Sequence, residues 1–426
     1  MAEYKGLPYL RKHLEKKRIR VLMRYRYYEM KNGIQYFRTL IPQEFAWMAG
    51  TLGWCAKAVD SLGDRLSFRE FKGDDFGINE IFAMNNGDIL PDSAINAALI
   101  GSCSFVYIYV DELGQPKMEV LDGGDATGVA DETTGMLKEG YAVLARDEND
   151  RPTLEAYFLP YRTEYYSGGQ RIRTRNHFAP YPLLVPVAYR PDAMRPFGHS
   201  RITRACMGLQ QSALRTLLRS EVSAEFYSFP QKWVSGLSPE AETDDWEDEE
   251  DGEEKPIAEP GFDKNRATMS SFLSFEADEN GNSPKLGQFT QQSMSPYTEQ
   301  LRTFAALFAG ETGLTMDDLG FVTDNPSSAE AIKASHENLR LAARKAQKIF
   351  GSRLLNAGYL TVCVRDKLDY ERQEFLKIKP AWEPVFEPDA AMLSSIGDGA
   401  IKISQAVPGY FGRNNLHDLT GIAPED

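Results

Sequence analysis

Apolar and polar positions change period several times along the 426-residue chain, and each change marks an element. In residues 8–30, Leu10, Leu14 and Val21 recur at helical spacing within a strongly basic segment, so a helix with one poor apolar side is expected. Residues 43–65 carry a second helical pattern, with Trp47, Leu52, Trp54 and Val59 expected inward, and 92–101 a short third one. The pattern then becomes β-rich. "SFVYIYVDELGQPKMEVLD" reads as a hairpin of two strands around a Gly/Pro turn. "GYAVLARDENDRPTLEAYFLP" and "RTEYYSGGQRIRTRNHFA" add strands that turn at Asn149–Pro152 and Ser167–Gly169. The first 190 residues therefore predict a mixed α+β domain, not an alternating βαβ one.

A long helix is expected from near Ser200 to about Tyr227, with Ile202, Cys206, Leu209, Ala213 and Leu217 in its stripe and Arg201, Arg204, Arg215 and Arg219 largely off it. Residues 230–294 change character: an acidic run, several prolines, and short β-like pieces such as "QKWVSG" and "MSSFLSFEA" read as an inserted small domain. The next helix opens with Ser295 as N-cap and Pro296 in its first turn, and Gly313 ends it. Leu301, Phe304, Ala305 and Phe308 share one face. "GLTMDDLGFVTDNPSSAEA" follows, a loop by its Gly, Asp, Asn, Pro and Ser content, yet it holds Leu314, Met316, Leu319 and Phe321.

Ser327 and Glu330 have capping-box spacing and open the longest helix. Ile332, Ser335, Leu339, Ala342, Ala346, Ile349 and Ala357 hold one stripe, and Lys333, His336, Arg340, Arg344 and Lys348 a second, basic one. Unbroken to Asp366, it would span about 40 residues and roughly 60 Å. Gly351 and Gly358 predict a bend. Two short helices around prolines complete the chain.

Net charge is −14, and eleven of the acidic residues lie between Glu240 and Glu254, leaving the rest near −3. The chain as a whole lacks the basic footprint of a sequence-specific DNA binder. The acidic run reads as a solvated excursion. A calcium loop aligned on Gly252 would use Glu247, Glu249 and Asp251, but its closing position falls on Ala258, which cannot ligate. The basic first helix reads as solvated or partner-facing. No apolar run approaches the roughly 20 residues of a membrane span, and the N-terminus lacks a signal-peptide core, so synthesis in the cytosol is expected.

Cys55, Cys103, Cys206 and Cys363 form no Cys-x-x-Cys pair and read as buried free thiols. His13, His177, His199, His336 and His417 are isolated. No phosphate-binding glycine loop, His-Glu-x-x-His or Gly-x-Ser-x-Gly is present; "GSCSF" at Gly101 places Phe105 where the last pattern needs glycine. Neither an enzyme activity, a cofactor nor a metal is expected.

Seven stretches, in order, resemble the portal, or head–tail connector, proteins of tailed double-stranded-DNA bacteriophages. "YYEMKNG" is similar to the family's Tyr-Tyr-x-x-x-x-Gly entry segment. "GTLGWCAKAVDSLGDRL" resembles its Asn-Trp-x-x-x-x-Val-Asp-x-x-x-x-Arg-Leu segment, with Gly53 where Asn is usual. "ALIGSCSFVYIYVDELGQPKMEVL" resembles its Gly-x-Ser/Ala-Phe-Val strand pair, and "PVAYRPDAMRPFGHSRITRACMGLQQSALRTL" the segment opening its first stalk helix. "SFPQKWVSG" resembles that helix's exit, and "PAWEP" a late tryptophan motif. "ETGLTMDDLGFVTDNPSSAEAIKASHENL" resembles its Thr-Gly-x-Pro…Leu-Gly…Ser-Ser-x-Glu-Ala-Ile segment, with Thr315 where Pro is common. The likeness runs from about residue 20 to 410.

The resemblance implies a multi-domain α+β fold in a cyclic ring, usually of twelve subunits: a basic N-terminal helix (1–29), an α/β wing (30–198), a first stem helix (199–229), a small β-containing clip with the acidic insert (230–294), a second stem helix (295–312), a tunnel loop (313–327), a long wing helix (328–366) and a short crown (367–426). It implies a channel at one capsid vertex for packaging and ejecting double-stranded DNA, with the terminase large subunit and a head–tail adaptor docking on it, and major capsid and scaffolding proteins around it. The location implied is the virion, with assembly in the host cytoplasm and no membrane partner.

Met316, Asp317, Asp318, Leu319, Phe321, Asp324 and Asn325 would line the channel. Lys333, Arg340, Arg344 and Lys348 would face a neighbouring subunit, and Gln231, Lys232, Trp233, Phe272 and Phe275 would dock the motor or adaptor. A channel wall that grips phosphates would stall a sliding genome, so an acidic chain suits the role. A minor capsid or adaptor protein without a channel is the alternative, and a packaging enzyme a more distant one.

Overall fold

The computed structural model describes residues 4–34, 50–228, 232–235, 285–288, 293–321, 334–386 and 390–410, with 412, 416, 417, 420 and 422 beyond. It divides into two units, one of Met1–Gly33, Thr51–Ser212 and Phe304–Asp426, the other of Ile34–Gly50 and Ala213–Thr303.

In the first unit the basic segment forms α1 (Leu7–Tyr28), with Pro in its first turn. Leu10 and Leu14 are buried in a cluster with Tyr141, Val143, Tyr157 and Leu159. Half of the helix's cations turn inward. Arg11 donates twice to Glu155, at 2.9 and 2.6 Å. Arg18 bridges Asp125 at 2.5 Å and Asp150 at 2.7 Å. Lys17 is buried, donating to Cys103 Sγ and Ala126 O, with its ammonium 4.8 Å from the Phe105 ring. The expectation of a solvated or partner-facing helix thus fails for this side. Carboxylates distant in sequence accept the charge, Glu155 buried, Asp125 half-buried and Asp150 exposed, and no local spacing signals them.

Two antiparallel sheets carry the core. The smaller has order β3-β2-β9, with β2 (Cys103–Val110) between β3 (Pro116–Asp122) and β9 (Leu184–Ala188). Val106 sits opposite both Val120 and Val185. Six consecutive residues of β2 are buried, which explains its continuous apolar run. The larger sheet runs in sequence order: β4 (Ala126–Ala130), β5 (Leu137–Arg146), β6 (Pro152–Leu159), β7 (Arg162–Ser167) and β8 (Gln170–Asn176). Buried Glu139 on β5 accepts the backbone N–H groups of Lys5 (2.7 Å) and Gly6 (3.2 Å) and the Tyr157 hydroxyl (2.6 Å), fixing the start of α1.

Helix α2 is Trp54–Gly63; the expected start at residue 43 is not met, because 50–53 are non-helical around Gly50 and Gly53, and 43–49 lie outside the described residues. Helices α3 (Ile78–Met84) and α4 (Ile89–Gly101) follow. β1 (Phe68–Lys72) pairs with β12 (Lys379–Trp382) across the length of the unit, Phe68 opposite Trp382.

Helix α5 (Arg204–Ser228) starts four residues later than expected, and Gln210, Leu214 and Leu218 are buried where Leu209 and Leu217 were predicted. In the second unit, Thr216 on α5 donates to Gln300 (3.1 Å) on α6 (Ser295–Thr312), and β10 (Lys232–Ser235) pairs antiparallel with β11 (Lys285–Gln288). "MSSFLSFEA" lies outside the described residues. The hydroxyl capping the first turn of α6 is Ser293, which accepts from the Ser295 N–H at 3.2 Å; Ser295 is already helical.

The long helix α7 is described over Glu337–Asp366, about 45 Å. It continues through Gly351 and Gly358 without a break. A Cβ at Gly358 would lie 2.5 Å from Ile78, and one at Gly351 2.5 Å from Pro380. The two glycines are close-approach points, where a side chain would meet Pro380 or Ile78. The Ser327–Glu330 box lies outside the described residues. Helix α8 is Ala390–Ala406, and the described residues 416, 417 and 420 beyond it are also helical.

Candidate functional site

The site begins where α6 ends. Gly313 adopts φ 71°, and its N–H bonds Ala309 O at 2.8 Å, stopping the helix in the conformation that suits glycine. Arg201, buried just before α5, donates to Thr312 O (2.5 Å) and Ala58 O (3.0 Å). It satisfies a carbonyl that a helix end would leave orphaned. This residue reads in the sequence as one of several arginines off an apolar stripe, and nothing there marks it as a clamp.

The next eight residues form a folded turn. Thr315 N–H and Oγ1 both donate to Asp318 Oδ2 at 2.9 Å, and the Asp318 N–H donates back to Thr315 Oγ1 at 3.2 Å. These reciprocal bonds cap a 3₁₀ turn, Asp317–Leu319, which ends at Gly320 with φ 87°. Phe321 N–H returns to Met316 O at 3.1 Å. Leu314 and Leu319 are buried by their own chain, which accounts for two of the loop's four large apolar residues.

The candidate channel residues divide accordingly. Asp317 is exposed, Met316 and Phe321 half-buried, Leu319 in the core, and Asp318 half-buried and committed to the turn. Asp324 and Asn325 lie outside the described residues. His336, which precedes α7, brings Nδ1 to 3.8 Å from Asp318 Oδ2, so the turn and the start of α7 are neighbours. The His336 ring also lies 6.1 Å from Phe386.

Of the basic stripe, Arg340 is occupied within its own helix, bonded to Glu337 at 2.6 and 2.5 Å. That pairing lowers the Glu337 carboxyl below its ordinary range. Arg344 and Lys348 are exposed and have no ion-pair partner among the described residues; Lys333 lies outside them. Lys345 and Leu341, which the stripe omitted, are exposed beside them. The core stripe is Leu339, Ala343, Ala346, Phe350 and Leu354; Ala342 and Ile349 are half-buried. Lys232 and Trp233 fall on β10, Trp233 opposite Gly287, while Gln231, Phe272 and Phe275 lie outside the described residues.

Among the described residues no group of three or more His, Cys, Asp or Glu could hold a metal, and no helix is long and apolar enough to cross a membrane. The four cysteines are buried and free. Burial pushes the Cys363 thiol up to about 11, which leaves it protonated and unreactive.

The family description "Phage portal protein, SPP1 Gp6-like" matches residues 7–393, nearly the whole chain. The chain belongs to this phage portal family. It is similar to the portal protein of Mycobacterium phage L5, 24% identical over 396 residues, covering 88% of this chain and 77% of the relative. The portal protein of Mycobacterium phage D29 is 23% identical over 394 residues at the same coverage. A solved chain described as "Neck of native GTA particle computed with C12 symmetry" is 12% identical, with a TM-score of 0.44 over 88% of this chain and 91% of its own. A second, "Neck of empty GTA particle computed with C6 symmetry", is 12% identical with a TM-score of 0.40, covering 90% and 93%. At these scores the likeness adds nothing to the assignment.

Proposed function

We propose that copies of this chain close into a ring, twelve by family resemblance, at one capsid vertex, and that double-stranded DNA is packaged and ejected through its axis. The observation that carries this is the family match across residues 7–393, which spans every described element from α1 to the start of α8. A closed ring needs a heterologous interface, one face of a subunit meeting a different face of the next. The exposed Leu341, Arg344, Lys345 and Lys348 supply one such face.

The segment after Gly313 is the proposed channel loop. Its folded turn acts as a base, and Asp317 is the described carboxylate free to meet DNA without gripping it. The insert between α5 and α6 is the proposed dock for terminase and the head–tail adaptor, and capsid and scaffolding proteins surround the ring. This makes the chain a non-enzymatic component of the virion, assembled in the host cytoplasm.

Electron microscopy and mass measurement of the purified chain, alone and with capsid proteins, test the reading. Rings with an axial hole are expected; a chain that stays monomeric or dimeric under all assembly conditions overturns it. A narrower test shortens the loop. Because Leu319 is core and Asp318 caps the turn, the cut belongs after Gly320, not at Met316. Such a variant should still form rings but package or retain less DNA. Normal packaging with full genome retention would remove the channel assignment.

A further inference from the structure

Helix α1 keeps four cations after its intrachain pairs are set aside. Lys12, Lys16, Arg20 and Arg26 are exposed and have no ion-pair partner among the described residues. At 3.6 residues per turn they fall within an arc of about 120°, opposite the buried Leu10, Leu14 and Val21. The row runs about 20 Å along the axis. Glu15, at its edge, is the helix's one acidic residue. The field of the row reaches its neighbour: burial lowers the His13 pKa, and Lys17, Arg20, Lys5 and Lys16 lower it further.

The same arc is not purely charged. Ile19 is 68% exposed and Met23 46%, and both lie between the cations; Tyr9 (44%) and Leu22 (42%) flank them. This mixture decides between occupants. A phosphate backbone takes its contacts from Arg, Lys and hydrogen-bonding groups, and would leave Ile19 and Met23 in water. A membrane surface favours a broad, continuous apolar face with cations at its rim, and here the cations run through the middle. A helix bearing carboxylates and apolar side chains on one face satisfies both kinds of residue at once.

We propose that this outer face of α1 docks an acidic amphipathic helix of a protein partner, its carboxylates on Lys12, Lys16, Arg20 and Arg26 and its apolar residues on Ile19 and Met23. The inference rests on the portal reading only for the partner's source, another protein of the capsid.

The test uses the full chain and a labelled helical peptide of about 18 residues with Glu and Leu on one face. Its controls are a scrambled peptide of the same composition and a duplex of about 20 base pairs. Fluorescence anisotropy should show the patterned peptide binding most tightly. Lys16→Glu with Arg20→Glu should weaken it about tenfold or more, and the loss should shrink as salt rises. Ile19→Ser with Met23→Ser should also weaken it, by about tenfold, at every salt concentration. Lys16→Arg with Arg20→Lys should retain binding. Circular dichroism and the thermal midpoint should be unchanged in all variants, since the altered side chains are exposed.

Equal binding of the patterned and scrambled peptides, with no effect at Ile19 and Met23, would reduce the face to a solvated one. Tighter binding of the duplex through the same cations would make it a nucleic-acid surface and overturn the proposal. Ring formation, measured on the same samples, separates the two readings. Rings that ignore the peptide sink the docking face alone, and a peptide-binding chain that never forms rings sinks the portal reading alone.

Discussion

The two halves of α7 share one helix and face different surroundings. From Leu354 to Val364 every residue is buried, including Asn356, Thr361 and Cys363. From Glu337 to Phe350 the helix is amphipathic: Leu339, Ala343, Ala346 and Phe350 turn inward, while Leu341, Arg344, Lys345 and Lys348 stay in solvent. A helix polar on one side can accept a neighbour; a helix covered all round cannot. The second half is therefore an anchor within the subunit, and the first keeps the exposed face that the proposed ring would use.

The sharpest way to break this contrast is to damage the anchor. Leu360→Ala should cost about 2–5 kcal/mol, because a fully buried leucine leaves a cavity. A urea midpoint within error of the wild type would show that the buried half is not the anchor. Gly358→Ala comes next, at about 1–3 kcal/mol, since the added methyl must displace Ile78. Denaturant titration checks it, and a neutral or stabilising result would show that Ile78 gives way without cost.

The carboxylate closing the anchor is a smaller test. Arg365 donates to both oxygens of Asp366, at 2.7 and 3.0 Å, and holds its carboxyl below the ordinary range. The folded pKa lies below the unfolded value of about 3.9, so the contribution is fully present above that pH and is lost as pH falls from there through the folded pKa. Solvent screening keeps it under about 1 kcal/mol. Asp366→Asn should remove this part of the acid sensitivity in a titration from pH 6 to 3, and an unchanged profile would rule the pair out as a contributor.

The smallest change in stability is expected on the other half. Arg344→Glu with Lys348→Glu should leave the isolated chain within about 0.5 kcal/mol of wild type, because neither side chain has a described partner. The same variant should fail to form rings by mass measurement. Unimpaired rings would move the interface elsewhere and leave this face merely solvated.

What the sequence revealed followed the range of the contacts involved. The stripe of α1, the hairpin of β2 and β3, the stop at Gly313 and the free thiols are local patterns, and they read correctly. β1 could not be paired with β12, since Phe68 and Trp382 are 314 residues apart in the chain. Arg11 and Arg18 looked like solvent charges because Glu155 and Asp125 lie more than a hundred residues away. At the turn, composition announced a loop, and the apolar residues were the clue that part of it is folded. Only the Thr315–Asp318 bonds show which part. The second role of Gly351 and Gly358 is hidden for a related reason: a glycine's need for space depends on Pro380 and Ile78, which periodicity cannot see.

Glu139 has a practical corollary. Its carboxylate grips the chain at Lys5 and Gly6 through backbone N–H groups alone, so it recognises that a chain passes there and ignores which side chains it carries. A purification tag or fluorescent fusion joined ahead of residue 5 leaves both donors in place. A truncation that starts the chain at Leu7 removes both and leaves a buried carboxylate with the Tyr157 hydroxyl as its remaining described hydrogen-bond donor. Extending this end of the protein should be harmless, and trimming it by six residues should not.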